Sequence, residues 1–486
     1  MFLLKGRTIL IFTLLLVGLS SCRSRKESIL QKKYSPEQLK QDATLFRDVV
    51  LKMHPVIGIY KPRAYYEGLF DQFIGQIKDS LTEKEFRFKL KMLAEGFLCG
   101  HTEVIASRRS FREMGRLRQN FSPFIFVPIG EKVYMLASAS KKQDSILKKG
   151  IEVTRINGVE VDSMLRHCKR FLTSDGYNTS SKDYYVMLGF NVYYQSIFGR
   201  PDTFEVEAKT ETGMKTQRYP ALKVRSLPPV PLGPKDDSLF VRYKKAAMKY
   251  RYLDKGKQTM LLKIDKFSHR KDAKAYRRLF RKMRMNKTSN LVLDLRGNGG
   301  GSLANSYRLL SYLVNEEVPQ TLSTGIRRYP YRKYTGGDMW FRFTRVVYKL
   351  IGEKKTVHDT DYFTYRIKPR KKNHFNGRVL VLINGGSFSA SSLVSAYLYY
   401  KGRAQFIGTE TGGTREGCNA GITPYYVLPN THLKARIPAF RIVHDVDQRI
   451  TGRGVMPDYP IRYGITDILQ KRDLELMKAK ELLNIE

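Results

Sequence analysis

The chain has 486 residues, 42% of them hydrophobic, and its 87 Lys and Arg against 45 Asp and Glu give a formal net charge of +42. The length predicts about two to four domains, and the hydrophobic share is enough for real cores and excludes global disorder. The basic excess predicts attraction to acidic surfaces such as anionic lipid, polyanionic polysaccharide or acidic proteins. It is spread over the whole chain, without zinc-finger spacing, an RNP-like motif or a basic region with heptads, so nucleic acid is not an expected partner.

At the N-terminus, Lys5 and Arg7 precede an apolar run, Thr8–Leu19, of the length of a secretory signal and too short for a good spanning helix. Leu19-Ser20-Ser21-Cys22 closes the run and looks like a bacterial lipobox, in which cleavage leaves Cys22 as the lipidated N-terminus. A plain signal peptide with a chance cysteine is the alternative. Residues 1–21 are thus read as a lipoprotein signal peptide and 22–34 as an anchor linker. The basic start (Arg23, Arg25, Lys26) suits an anionic membrane face, and no acidic run follows Cys22. The expected location is the cell envelope, on a periplasm-facing membrane of a Gram-negative bacterium. Of the other cysteines, Cys99, Cys168 and Cys418, the count is odd and the spacing fits no zinc pattern, so neither a metal nor a structural disulfide is expected.

Residues 35–115 read as a helical region. Ser35-Pro36-Glu37 is an N-cap followed by proline at the first helical position, with Leu39, Leu45, Phe46, Val49 and Leu51 on the apolar face. Thr82-Glu83-Lys84-Glu85 has the capping-box pattern and opens a helix carrying Phe86, Phe88, Leu90, Leu93 and Phe97 as core. Residues 116–225 look β-rich, with strands at Phe124–Val127, Lys132–Leu136 and Glu152–Ile156, an Asn157-Gly158 hairpin turn and a helix over Ser163–Phe171. The stretch Leu147 to Val161 resembles the core of a PDZ-like domain, a fold that takes an extended peptide as an added strand; any small barrel hairpin with an Asn-Gly turn is the alternative. The prolines at 228, 229, 231 and 234 place a linker over 226–258, followed within it by an exposed helix.

From Thr259 the pattern alternates: strand Met260–Ile264, helix Ala273–Met285, strand Asn290–Asp294, helix Tyr307–Val314, strand Arg378–Ile383. This predicts a mostly parallel α/β layer over 259–470. A basic and aromatic insertion, 325–375, interrupts it; a membrane-facing or lid segment and a solvated loop with a few packed aromatics are both open readings. A C-terminal helix is expected over 471–486.

Chemistry concentrates at three places. Val381–Ile383 is a buried strand, followed by a Gly/Ser turn, a helix over Ser391–Tyr400 and a strand ending near Gly408. Ser389 lies on that turn, where acyl-transfer enzymes expose a nucleophile beside the N–H groups of a helix start. A Ser-rich loop of an ordinary α/β protein fits the segment as well. Second, the strand ending Leu293-Asp294-Leu295-Arg296 runs into Gly297-Asn298-Gly299-Gly300-Gly301. No Gly-Lys-Ser/Thr follows and the G-x-G-x-x-G spacing is absent, so a phosphate loop is excluded and an oxyanion-hole loop fits, with Asp294 and Arg296 fixing it. Third, Cys99-Gly100-His101-Thr102 sets a histidine on a glycine turn after a helix. A serine hydroxyl needs an adjacent base to be a nucleophile, whereas a lone histidine is more often structural.

Together these elements resemble the tail-specific, or C-terminal-processing, serine peptidase family over residues 35–470. The motifs are Gly-His-Thr, D-L-R-x-N-G-G-G, N-x-x-S-x-S-A-S and the Gly454-Val455-Met456-Pro457-Asp458 ending. The resemblance implies a multi-domain α/β protein: a helical N-terminal region, a PDZ-like β domain and a ClpP/crotonase-like ββα catalytic core. It implies Ser389 as nucleophile and the N–H groups of Ala390 and Gly301 as the oxyanion hole. One branch uses a lysine 25 residues after the nucleophile; that position is Thr414. The tricorn-like branch uses a histidine in a Gly-His-Thr-like context, which His101 matches. Asp445 and Asp447 are the candidate acids, with Asp447 chosen, and Cys99 stands where the family often has an acidic residue. The implied activity is hydrolysis of envelope or imported polypeptides, with no cofactor. A pseudo-protease scaffold binding peptides or apolar ligands, and an envelope protein binding acidic polysaccharide, are the alternatives.

Overall fold

The computed structural model describes residues 28–138, 147–228, 230, 239–243, 246–267, 272–324, 334–335, 353–357, 360–444 and 449–485. Cys22 and the signal segment, Asp445 and Asp447, and much of the 325–375 insertion lie outside the described residues.

A seven-stranded sheet organises the C-terminal half, in the order Val241–Arg242, Met248–Tyr252, Thr259–Ile264, Asn290–Asp294, Arg378–Ile383, Gln405–Gly408, Tyr459–Pro460. The first two pairings are antiparallel and the rest parallel. Leu262, Leu293, Val381 and Phe406 stand side by side across four strands, all fully buried on one face. Leu261, Val292, Leu380 and Ile407 fill the other face against the C-terminal helix Leu474–Leu482. Burial on both faces is why these strands read as continuous apolar runs. The helix Ala390–Tyr400 is buried from Ala390 through Leu398, packed beside the helix Leu303–Leu310 and under a second, five-stranded antiparallel sheet.

The N-terminal helices Pro36–Met53 and Glu83–Glu95 carry the expected capping boxes at Ser35 and Thr82. Phe46, Phe70, Phe86 and Phe97 pack into the same continuous core as the α/β layer. Buried Asp42 ties the first helix to the C-terminal half, accepting the N–H groups of Asn430 and Thr431 at 2.9 Å each.

The middle region is a six-stranded antiparallel sheet with two helices on it, Val161–Arg170 and Ser180–Phe198. Four expectations are corrected. Ser180–Phe198, part of the stretch read as β-rich, is helical instead, with a kink at Gly189. Its aromatic residues favour strands by propensity, but Val186, Phe190 and Tyr194 repeat every four residues and are buried together. Among the described residues of 226–258, where an exposed helix is expected after the prolines, no helix forms. Met248–Tyr252 is instead a strand, because Met248 and Tyr250 alternate into the core. The helix expected over Tyr307–Val314 runs from Leu303 to Leu310. Within the insertion, Glu353–Val357 and Thr360–Ile367 are paired strands rather than loop, the second running antiparallel to Val318–Thr324.

Candidate active site

The strand Arg378–Ile383 delivers the chain to the turn 384–389 at the carboxyl end of the parallel sheet, where ligands of open α/β sheets bind. Asn384 and Ser387 shape the turn. The Ser387 hydroxyl donates to Leu295 O at 2.8 Å and accepts the Asn384 N–H at 3.1 Å. Asn384 Oδ1 accepts the N–H groups of Gly386 and Gly297, both at 2.9 Å. The Phe388 N–H donates to Asn298 O at 3.0 Å. The serine turn and the glycine loop are therefore one hydrogen-bonded unit. Ser389 itself sits at φ 56°, ψ −121°, a conformation that a non-glycine residue holds only when its surroundings fix it. It is partly exposed and stands at the N-cap position of the helix Ala390–Tyr400, where its side chain makes no capping hydrogen bond.

Gly300, at φ 98°, lies directly against this turn. A Cβ there would stand 2.7 Å from Ser389 Cβ and 2.9 Å from the Ala390 nitrogen. Within the loop, Arg296, Gly297, Asn298, Gly300 and Ser302 spend their N–H groups on internal partners. Those of Gly299 and Gly301 have no partner among the described residues, and neither does that of Ala390 at the start of its helix. The loop is held from below by Arg296, which donates to Asp294, to Asp473 at 2.7 and 2.9 Å, and to Glu475 at 2.9 Å. Burial alone would raise the Asp294 carboxyl, but Arg296 and Lys263 outweigh it and hold it at about 2.

His101 comes from the opposite end of the chain. The strand Glu103–Ile105 that follows it pairs antiparallel with Lys434–Arg436, which carries the Gly100–His101 turn across to the α/β layer. Thr102 is pinned by the Thr173 hydroxyl, which donates to its carbonyl at 3.1 Å, and by His54 Nε2 at 2.7 Å from its hydroxyl. The Val56 N–H donates to His54 Nδ1 at 3.1 Å, so Nε2 carries the proton and donates to Thr102. Burial first, and the neighbouring His101 second, push His54 down to about 3, and it stays neutral.

The His101 ring stacks on Phe388, with centroids 4.8 Å apart. Gly100 allows this approach, since a Cβ there would meet Phe388 Cζ at 2.7 Å. The carboxylate beside His101 belongs to Asp175, on the loop after Val161–Arg170: Oδ1 is 3.9 Å from His101 Nδ1 and accepts the Gly100 N–H at 2.7 Å. Nothing in the sequence marks this residue beyond an Asp-Gly turn pair. Thr414, in the position of the lysine of the other branch, is buried with its hydroxyl donating to Gly417 O. The structure thus brings Ser389, Ala390, Gly301 and His101 to one place, adds Asp175, and leaves Asp447 outside the described residues.

Residues 258–461 match the family model Peptidase family S41. Among solved structures the protein is similar to mature CPAF complexed with lactacystin, 14% identical over 92% of this chain and 98% of that one, with a TM-score of 0.64. It is similar also to mature CPAF alone, 14% identical over 92% and 97%, with a TM-score of 0.63. At that identity the likeness is one of fold. No curated protein is matched by the sequence. The family match takes in the parallel sheet from its third strand on, the glycine loop and the Ser389 turn, so residues 258–461 are similar to a peptidase family S41 domain, and the chain is a serine-type peptidase.

Proposed function

We propose that Ser389 is the nucleophile and His101 the general base of an exported peptidase, lipid-anchored through Cys22, that cleaves envelope or imported polypeptides. The observation that carries this reading is the meeting of His101 with the Ser389 turn across 288 residues of sequence, through the Phe388 stack, beside unspent backbone N–H groups. Ser389 Oγ forms a bond to the substrate carbonyl carbon and passes its proton to His101 Nε2. The carbonyl oxygen takes up the negative charge between the N–H groups of Ala390 and Gly301. The C–N bond then breaks, the amine leaves with the proton from His101, and water releases the acyl group by the same route. Asp175 orients the imidazole by accepting from Nδ1; the 3.9 Å separation closes when substrate orders the site, as catalytic hydrogen bonds of free enzymes commonly do.

The antiparallel sheet over residues 124–220, with its Asn157-Gly158 turn and two helices, suits a PDZ-like role, holding an extended segment of substrate as an added strand. The basic sequence after Cys22 supports anchoring at an anionic, periplasm-facing membrane. The test is digestion of an unfolded acidic protein by the purified enzyme, read by mass spectrometry, beside Ser389→Ala and His101→Ala. Fragments from wild type and from neither variant are expected. Fragments surviving in His101→Ala would mean that another group is the base. Folded protein that binds substrate without cutting it would leave a pseudo-protease.

A further inference from the structure

We propose that His101, Asp175 and Cys418 together form a binding site for a borderline-soft divalent cation, Zn²⁺ by its ligand chemistry, and that this ion switches the peptidase off. His101 Nδ1, an Asp175 carboxylate oxygen and Cys418 Sγ all lie within 4.8 Å of one another. His101 Nδ1 and Asp175 Oδ2 are buried polar atoms without a hydrogen-bond partner, on residues 9% and 2% exposed. Buried polar atoms in a folded protein nearly always have partners, so two orphans on adjoining side chains need an explanation. Cys418 is a free thiol, 4% exposed, fixed in the strand Gly417–Ala420 opposite Ile442. Burial raises its thiol well above the ordinary range, so without a metal it is protonated and inert.

Nitrogen, oxygen and sulfur from three protein residues, with a fourth position open to water, is a donor set that Zn²⁺ takes in tetrahedral geometry. Tetrahedral bond lengths place such ligands about 3.3–3.6 Å apart, so the ion would draw the three atoms together by roughly 1 Å. Ionised Asp175 and a Cys418 thiolate balance the ion's two charges. Arg441, which pairs with Asn419 on the next strand, is the nearby cation that opposes binding and keeps the affinity moderate. On binding, the thiol gives its proton to solvent and Nδ1 gives its lone pair to the metal. The remaining ring proton must then sit on Nε2, the nitrogen that has to accept from Ser389. Inhibition follows from that tautomer and leaves substrate contacts alone.

The inhibitory part rests on His101 being the base; the site itself does not, and the experiment separates them. Co²⁺ is the probe, added to purified, chelator-treated full chain. Wild type is expected to show a thiolate-to-cobalt charge-transfer band with the visible spectrum of a four-coordinate ion. Cys418→Ser should abolish the band and weaken binding at least about 100-fold, beyond the 10–100-fold typical of outer-shell changes. Asp175→Asn should weaken it too, and Cys99→Ser should retain it, which guards against misfolding of a single variant. Zn²⁺ should lower kcat with KM unchanged, reversibly with chelator. Folded wild type without the band, or a band surviving in Cys418→Ser, overturns the site. Active metal-free enzyme indifferent to Zn²⁺ overturns the inhibition and leaves the peptidase reading standing. Cobalt bound through Cys418 in a protein that cleaves nothing supports the site and sinks that reading instead.

Discussion

The imidazole of His101 lies on the ring of Phe388, the residue directly before Ser389, with 29° between the planes. The proposed base is thus positioned by the backbone that holds the proposed nucleophile, so the two move together. Phe388→Ala is expected to lower kcat roughly 10–100-fold, the cost of a misplacement of about an ångström, with little change in KM. Gly100→Ala should act alike from the other side, because its Cβ would push the Phe388 ring at 2.7 Å. Steady-state kinetics on a peptide substrate checks both; an unchanged kcat in either variant removes the stack from the mechanism.

Asp175 and Asp447 make opposite predictions. Asp175 Oδ1 stands 3.9 Å from His101 Nδ1, so Asp175→Asn is expected to cost kcat about 10²–10⁴-fold by losing hold of the tautomer. Asp447→Asn should cost severalfold at most. Steady-state kinetics of the two variants on one peptide substrate decides the matter. A large loss in Asp447→Asn with none in Asp175→Asn would return the acid to Asp447.

The contrast between Ser389 and Asp175 shows what is legible in a sequence. Ser389 lies in a local strand–turn–helix pattern whose buried strand and helix declare themselves by apolar runs, and the Gly297–Gly301 loop ends a strand in the same way. The Arg378–Ile383 and Asn290–Asp294 strands fall where the pattern places them. Asp175 reaches His101 only because the Gly176 N–H bonds Leu98 O at 2.9 Å and the Gly100 N–H bonds Asp175, contacts between loops far apart in sequence. No periodicity encodes such contacts. The helix Ser180–Phe198 was hidden differently, by aromatic residues whose strand propensity is overridden by packing.

Arg296 carries the charge ledger beneath the glycine loop. Arg296→Met would leave Asp294, Asp473 and Glu475 facing one another, and is expected to destabilise the fold by about 3–5 kcal/mol, with activity lost at temperatures where the protein is still folded. The Asp294 carboxyl is depressed in the folded state, so its contribution is fully present above about pH 4 and lost as pH falls towards 2, about 2 kcal/mol in all. Urea midpoints of wild type and variant measure both; a variant as stable as wild type would show that the cluster costs as much as it contributes.

Two histidines predict a second acid sensitivity, which sets in at higher pH than that of Asp294 and is larger. Burial above all lowers His54 to about 3 and His444 to about 4, below the 6.5 of an unfolded histidine. The unfolded chain therefore binds these protons first. Stability should be complete above about pH 6.5 and fall by about 1.4 kcal/mol per pH unit per histidine as pH drops towards 4. His54→Gln should remove about half of that slope in urea titrations from about pH 7 to about 5. A slope unaltered by the substitution would mean that His54 takes up its proton in the folded protein.

Gly300 and Gly299 give the sharpest test of the oxyanion hole, because one glycine matters there and its neighbour does not. Gly300 adopts φ 98°, and an added Cβ would lie 2.7 Å from Ser389 Cβ and 2.8 Å from Phe388 O. Gly300→Ala must therefore move the loop away from Ser389 and carry the Gly301 N–H with it. The expected loss is about 10²–10³ in kcat, that of an oxyanion-hole donor, with about 1–3 kcal/mol of backbone strain on stability. A Cβ on Gly299 meets nothing nearer than Tyr185 Oη at 4.0 Å, and its backbone is not left-handed. Gly299→Ala should keep kcat within severalfold. Single-turnover kinetics of acyl-enzyme formation reads the difference directly. Equal losses in the two variants would show that loop flexibility, rather than an aimed N–H, is what the glycines provide.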